Sequence, residues 1–301
     1  MTEIFLNTNA YPLMEMMFMY KCFRVKKLII PLIITLSVIF FLMGKKFFSV
    51  AYPEETPVKL PVIMYHSIYT DSPSEYAVTP AQIESDLKWL SDNGYQTVSA
   101  QQLCDYVFNN GTLPEKCVMI TLDDGYYNNT ALLPLLEKYD MCAVVSIVGK
   151  YTDEYAAKDP HNMNYSYLTW DDVNELLNSG RIEIGNHTYD MHSLYNGRKG
   201  CAKNASESEN EYVSALSADI SLMQRKIKEN TGISSFIFTY PFGALSPESR
   251  PVLKENGFLI TFTCREMPNY ITHDPKSLLG TGRYNRSGLY STEEFMNKIF
   301  S

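Results

Sequence analysis

The chain has 301 residues, 45% of them apolar and 20% charged, which suits one large folded domain or two small ones and excludes a disordered polymer. Six of the 26 basic residues but only two of the 34 acidic ones precede residue 52, so the remainder carries 20 basic residues against 32 acidic ones. A surface that negative is a poor one for nucleic acid or anionic wall polymers; it suits a neutral or cationic partner, or simply solubility.

In chain order, residues 1–27 read as a cytoplasmic N-terminal segment, with Met17 or Met19 as alternative starts. Residues 28–44 read as a transmembrane anchor or signal segment. Its core, 28–43, holds no charged residue; Lys21, Arg24, Lys26 and Lys27 precede it, and Lys45 and Lys46 come directly after. The run is slightly short of the ~20 residues of a spanning helix, yet longer than a usual signal core. The basic cluster orients the downstream chain to the extracytoplasmic side. An uncleaved single-pass anchor in the cell membrane is the expectation; cleavage after Ser49-Val50-Ala51 would give a secreted product instead. Residues 45–60, with Pro53, Pro57, Glu54 and Glu55, read as a linker, and 61–301 as the folded domain.

Within that domain, short β-branched runs over 62–67, 95–99, 117–122, 143–148, 182–186, 236–240 and 259–263 alternate with helical patterns, and 278–284 is a further strand candidate. The helical patterns cover 80–92, 129–139, 169–179 and 207–230. Such alternation predicts βαβ units and a parallel sheet; seven or eight units in about 240 residues predict a barrel. The segment 199–211 reads as a mobile polar surface insertion. Five cysteines come after the apolar segment, without a C-x-x-C, and predict no disulfide framework.

In a parallel barrel the functional end lies at the strand C-termini. Several predicted strands end there in reactive groups: His66, Asp123-Asp124, His187 and Tyr240-Pro241-Phe242-Gly243. Successive strand side chains point to opposite faces, so of two adjacent carboxylates one can hold a metal while the other acts as a base. Gly125 permits the turn after them. His187 and His192 are five apart, a spacing that separates them by about 140° on a helix, so both reach one ion only from a loop. Histidines with a carboxylate form the usual donor set of catalytic zinc, and Asp190 is a candidate to orient one of the rings. The aromatic run 236–242 offers a surface for a sugar and a backbone N–H for an oxyanion.

Asp123-Asp124-Gly125-Tyr126, His187 with His192, and Tyr240-Pro241-Phe242-Gly243, in that order, resemble the polysaccharide deacetylase family (NodB homology, carbohydrate esterase family 4). The likeness covers about 58–300, and Ile63-Met64-Tyr65-His66-Ser67-Ile68 is also common in such proteins. It implies an α/β fold, a distorted (β/α) barrel of seven or eight units, and hydrolysis of N-acetyl groups on an amino-sugar polysaccharide. By the resemblance Asp123 is the general base, while Asp124, His187 and His192 hold a divalent transition metal such as zinc; Tyr126, Tyr240, Pro241, Phe242 and Arg283 are the expected substrate contacts. The H-x4-H spacing is similar to that of poly-N-acetylglucosamine deacetylases, where many members have H-S/T-x-x-H.

Other departures concern the acid half of the chemistry. No arginine opens the third motif, no Asp-Trp fourth motif is present, and no histidine comes after the last candidate strand. His66, at the end of the first strand, is therefore the expected acid. Arg283 and Arg286 are expected to bind substrate or to fix Asp123. The competing expectations are a peptidoglycan deacetylase, an enzyme for a small N-acylated metabolite, and a non-catalytic glycan-binding protein on the same barrel.

Overall fold

The computed structural model describes residues 30–40, 56–69, 71–195 and 197–300. The chain divides into two compact units, 1–55 and 56–301. The described part of the first is helix α1, residues 30–40, with every side chain exposed. Among the described residues no helix is long and apolar enough to cross a membrane. The rest of the anchor expected over 28–44 lies outside the described residues.

The second unit opens with β1 (Val58–Leu60), β2 (Val62–Tyr65), α2 (Pro80–Asp92), β3 (Gln96–Thr97) and α3 (Ala100–Asn109). Then come β4 (Cys117–Leu122), a 3-10 turn (Tyr127–Leu132) leading into α4 (Leu133–Tyr139), β5 (Ala143–Ile147), α5 (Gly149–Lys158) and α6 (Trp170–Asn178). The chain continues through β6 (Ile182–Asn186), α7 (Glu209–Thr231), β7 (Ile237–Thr239), α8 (Ser249–Glu255) and β8 (Ile260–Phe262). It ends with β9 (Asn269–Ile271), β10 (Leu279–Thr281), β11 (Tyr284–Asn285) and α9 (Thr292–Phe300).

Local chemistry accounts for many of these boundaries. Helices α2, α3, α6 and α7 each begin with a reciprocal capping box, Thr79 with Gln82, Ser99 with Gln102, Thr169 with Asp172 and Ser208 with Glu211. Each box satisfies two backbone donors that the first helical turn leaves without partners. Gly232 stops α7 in the left-handed region, at φ 78°. Helices α3, α5, α8 and α9 complete the alternation of strands with helices. They are short, and α5 starts on a glycine without a side-chain cap, so little local signal marks it.

The strands run β10-β8-β7-β6-β5-β4-β2-β11, every neighbouring pair parallel. β2, β4 and β5 are buried along their whole length, as expected of parallel strands covered on both faces. β10 and β11 are the two ends of this path and are not hydrogen-bonded to each other, so the barrel expected from the sequence is a half-barrel with a seam. Only Gly282 and Arg283 separate them in sequence, and the chain itself crosses the seam. Asn269 stitches it: its amide accepts from Gly282 N at 2.9 Å and donates to the carbonyls of Gly282 at 2.9 Å and Leu60 at 3.1 Å.

Two expectations are corrected. The segment 199–211 is no free insertion: Cys201 is fully buried, Tyr212 Oη donates to its carbonyl at 2.9 Å, and Lys203 N donates to Ser246 Oγ at 2.8 Å. Arg286 touches neither the cleft nor Asp123. Its guanidinium is enclosed with Asp86, Nε to Oδ2 at 2.7 Å, and the same carboxylate accepts from Tyr65 at 2.9 Å and Thr292 at 2.6 Å. Fully enclosed charges need that completeness, and this group ties β11, α2, β2 and α9 together.

Candidate metal centre

Because all eight strands of the path are parallel, the segments leaving them converge at one end. There they line a cleft of about 540 Å³ bounded by His66, Asp123, Asp124, Tyr126, His187, His192 and Phe242. Met64, Glu75, Tyr76, Lys199, Cys264, Glu266 and Asn285 complete the lining.

Three side chains from two strand ends meet in it. One donor atom each from Asp124, His187 and His192 lies within 4.8 Å of the others. Asp124 Oδ1 stands 3.6 Å from His187 Nε2 and 3.1 Å from His192 Nε2. Ligands of one tetrahedral ion at ~2.0–2.2 Å are separated by about 3.4 Å, so the spacing fits a single transition metal. Asp124 Oδ1 is also a buried oxygen without a well-formed hydrogen bond, a costly state that a cation relieves. Burial alone would raise the Asp124 carboxyl, but the adjacent His192 imidazole holds it below the usual range.

His187 is prepared as a ligand. Its Nδ1 lies 2.7 Å from the carbonyl oxygen of Thr239, which can only accept, so Nδ1 carries the proton and Nε2 faces Asp124 with its lone pair. Burial pushes the imidazole pKa down to about 4, which keeps it neutral. His192 reaches the same point because the loop between them is tightly held. Thr188 N donates to Asn186 Oδ1 at 2.8 Å, and the backbone N–H groups of Tyr189 and Asp190 both donate to the Asp219 carboxylate on α7 at 2.8 Å. Tyr151 Oη on α5 closes on the His192 carbonyl at 3.1 Å. Asp190 orients no imidazole, contrary to the sequence reading; its carboxylate pairs with Lys150 at 2.9 Å.

Asp123 points the other way and meets Arg283, 160 positions along the chain. The guanidinium grips both carboxylate oxygens, Nη1 to Oδ1 at 2.6 Å and Nη2 to Oδ2 at 2.7 Å. It is itself fixed by Thr263 O at 3.0 Å and Thr121 Oγ1 at 3.2 Å. Burial would raise the Asp123 carboxyl, yet Arg283 overrides this and holds it ionised far below the usual carboxylate range. Arg283 has no exposed surface, so of the two roles expected of it the geometry supports fixing Asp123 and not contact with substrate.

Asp124, Thr188 and Phe242 adopt left-handed backbone, at φ 70°, 73° and 56°. Non-glycine residues in this region carry strain, and strain collects at functional sites. Gly125 comes next at φ 71°, and a β-carbon there would lie 2.7 Å from Ile147 Cγ2, so the turn behind Asp124 demands glycine.

The remaining predicted contacts divide. Tyr126 lines the cleft, its ring stacked on Tyr167 with centroids 4.9 Å apart. Phe242 lines it too, 37% exposed and tilted over His192 at 4.7 Å. Tyr240 and Pro241 are buried; Tyr240 Oη shares a hydrogen bond with Ser249 Oγ at 2.8 Å, so neither side chain meets a substrate. Of the three other histidines only His66 reaches the cleft. His161 lies 3.3 Å from Asp172, and His273 Nδ1 donates to Tyr106 O at 2.7 Å. Sequence reasoning missed Tyr76, Lys199, Cys264, Glu266 and Asn285, which sit on loops or at a short strand without a distinguishing pattern.

Comparison with known proteins places this geometry in context. The polysaccharide deacetylase family profile matches residues 110–260. YxkH of Bacillus subtilis (strain 168), whose name assigns it to the polysaccharide deacetylases, is 30% identical over 210 residues, 69% of this chain and 66% of that one. The poly-beta-1,6-N-acetyl-D-glucosamine N-deacetylase of Escherichia coli (strain K12) is 26% identical over 222 residues, covering 67% of this chain and 33% of its own length. A solved de-N-acetylase from Aggregatibacter actinomycetemcomitans superposes with a TM-score of 0.67 at 26% identity, covering 80% of this chain and all of that one. The chain thus spans about two thirds of the first curated relative and a third of the second.

Proposed function

This chain belongs to the polysaccharide deacetylase family, and on that premise we propose that it hydrolyses N-acetyl groups of an extracytoplasmic amino-sugar polymer of the poly-N-acetylglucosamine type. The observation that carries the reading is the juxtaposition, in one cleft, of the Asp124, His187 and His192 donors with an ionised Asp123 clamped by Arg283. A non-catalytic glycan-binding protein has no need of a charged base held by a fully buried arginine. The extracytoplasmic assignment is supported by the apolar run over 28–44 and the basic cluster before it.

Asp124, His187 and His192 would hold a divalent transition metal, zinc being the first candidate. That ion supplies Lewis-acid polarisation of the acetyl oxygen and acidification of water. Asp123 is the base that takes the proton from the attacking water; Arg283 keeps it ionised and correctly turned. The Phe242 backbone N–H is the proposed donor to the developing oxyanion. His66 borders the same cleft, and its Nδ1 is buried without a protein partner. We assign His66 the protonation of the departing amine, in place of the histidine missing after the last strand. The freed amine is cationic and suits the acidic surface.

Two measurements test this. Dialysis against EDTA should abolish acetate release from β-1,6-linked N-acetylglucosamine oligomers, and zinc should restore it; release that survives chelation rejects the metal role. Peptidoglycan assayed in parallel decides the polymer. Exchange of His66 for alanine should lower turnover about 10²-fold with metal content unchanged, and near-normal turnover would remove His66 from the mechanism.

A further inference from the structure

Two large exposed rings line the cleft, and each packs against an imidazole. Phe242 lies over His192, while Tyr76, 53% exposed, stands beside His66, its ring 5.0 Å from that imidazole at 72°. The loop presenting Tyr76 is firmly held. Ser67 N donates to the Tyr76 carbonyl at 3.2 Å, Val78 N to the Ser67 carbonyl at 3.0 Å, and Ser74 N to the Ala77 carbonyl at 2.9 Å. Asn285 at the end of β11 donates to the Glu75 carbonyl at 2.9 Å, and Gly288 packs so closely on the Ala77 carbonyl that no side chain fits there. An exposed aromatic on a segment fixed from both sides is a preorganised surface.

The chemistry of the bond decides what that surface meets. The carbonyl end of the amide lies toward Asp124, His187 and His192, with Phe242 beside them. Its nitrogen end must reach the acid, His66, and that nitrogen is bonded directly to the sugar ring. The pyranose therefore lies beside His66, where Tyr76 stands. We propose that Tyr76 is the specificity-determining platform for the ring of the acetylated sugar, stacking on its apolar C–H face. This inference rests on the deacetylase reading and on the assignment of His66. Phe242 then borders the acetyl group, so the two rings discriminate different halves of one substrate.

The test compares a sugar substrate with one that has none. In the metal-loaded full chain, Tyr76→Ala should raise KM for β-1,6-linked N-acetylglucosamine oligomers about 10-fold while kcat changes less than about 3-fold. Its rate on 4-nitrophenyl acetate, which offers the same acyl group on a sugar-free leaving group, should also stay within about 3-fold. Tyr76→Phe and Tyr76→Trp should restore the oligomer KM, because the ring face carries the contact. An equal loss on both substrates would overturn the proposal, since Tyr76 would then only maintain the shape of the whole cleft; so would a fall in oligomer kcat at an unchanged KM, since Tyr76 would then only prop His66. Wild-type protein that hydrolyses the ester but no oligomer would reject the polymer reading, and this inference with it, while leaving the metal centre standing.

Discussion

Exchange of Asp124 for alanine should cut acetate release by at least about 10³-fold and should be accompanied by loss of bound metal. Lewis-acid stabilisation by an active-site ion is worth several kcal/mol, and each 1.36 kcal/mol is a factor of about ten in rate. Asp124 is the sole carboxylate in the donor set, and its Oδ1 stands between the two imidazoles, 3.6 and 3.1 Å away. Removing it leaves two neutral histidines, a weak site for a divalent cation. Thermal unfolding of the purified variant separates this loss from misfolding, because Asp124 sits at the cleft and belongs to no hydrophobic cluster. A variant with full metal content and near-normal turnover would show that the ion is held elsewhere.

Arg283→Met should damage both stability and turnover. Arg283 has no exposed surface, and Asp123 is 2% exposed, so the substitution strands a carboxylate among apolar groups. Breaking a buried pair from one side costs about 3–5 kcal/mol, which corresponds to a fall in Tm of about 6–20 °C for a domain of this size. The stranded carboxylate escapes its burial penalty by taking up a proton, and a protonated Asp123 is no base. Turnover should fall by about 10²–10⁴-fold. Arg283→Lys, which keeps the charge but loses the two-pronged grip, should fall between the two proteins on both measures. Thermal unfolding and oligomer kinetics on the same preparations check it. A methionine variant with unchanged Tm would mean that the pair contributes nothing to the fold, and one with unchanged turnover would mean that Asp123 is not the base.

The legible part of this protein was local. Alternation of β-branched runs with amphipathic stretches marked six strands of the parallel path, but the single run expected over 278–284 is two strands, β10 and β11, at opposite ends of that path. The reactive residues appeared at the ends of those runs because a parallel sheet places all strand C-termini at one end. The H-x4-H spacing correctly required a loop between the histidines, and the structure shows that loop pinned by Asn186, Asp219 and Tyr151. What failed was assignment of side-chain direction. Tyr240 belongs to a motif and still faces the core, because the strand alternation carries its ring away from the cleft to Ser249. Asp190, between the two histidines, turns outward to Lys150.

By itself, then, the sequence determined the α/β class, the strand-end placement of Asp123, Asp124, His187 and His192, and the family to which the chain belongs. These come from patterns of a few residues, since side-chain alternation and turn chemistry act over short stretches. Tertiary structure decided everything that depends on which strands become neighbours. It chose Arg283 to clamp Asp123 and Arg286 to pair with Asp86. It set Tyr76 in the same cleft as Phe242. The two arginine pairs span 160 and 200 positions, and no local rule links their members: closing the half-barrel across the β10–β11 seam is what brings Arg283 to Asp123.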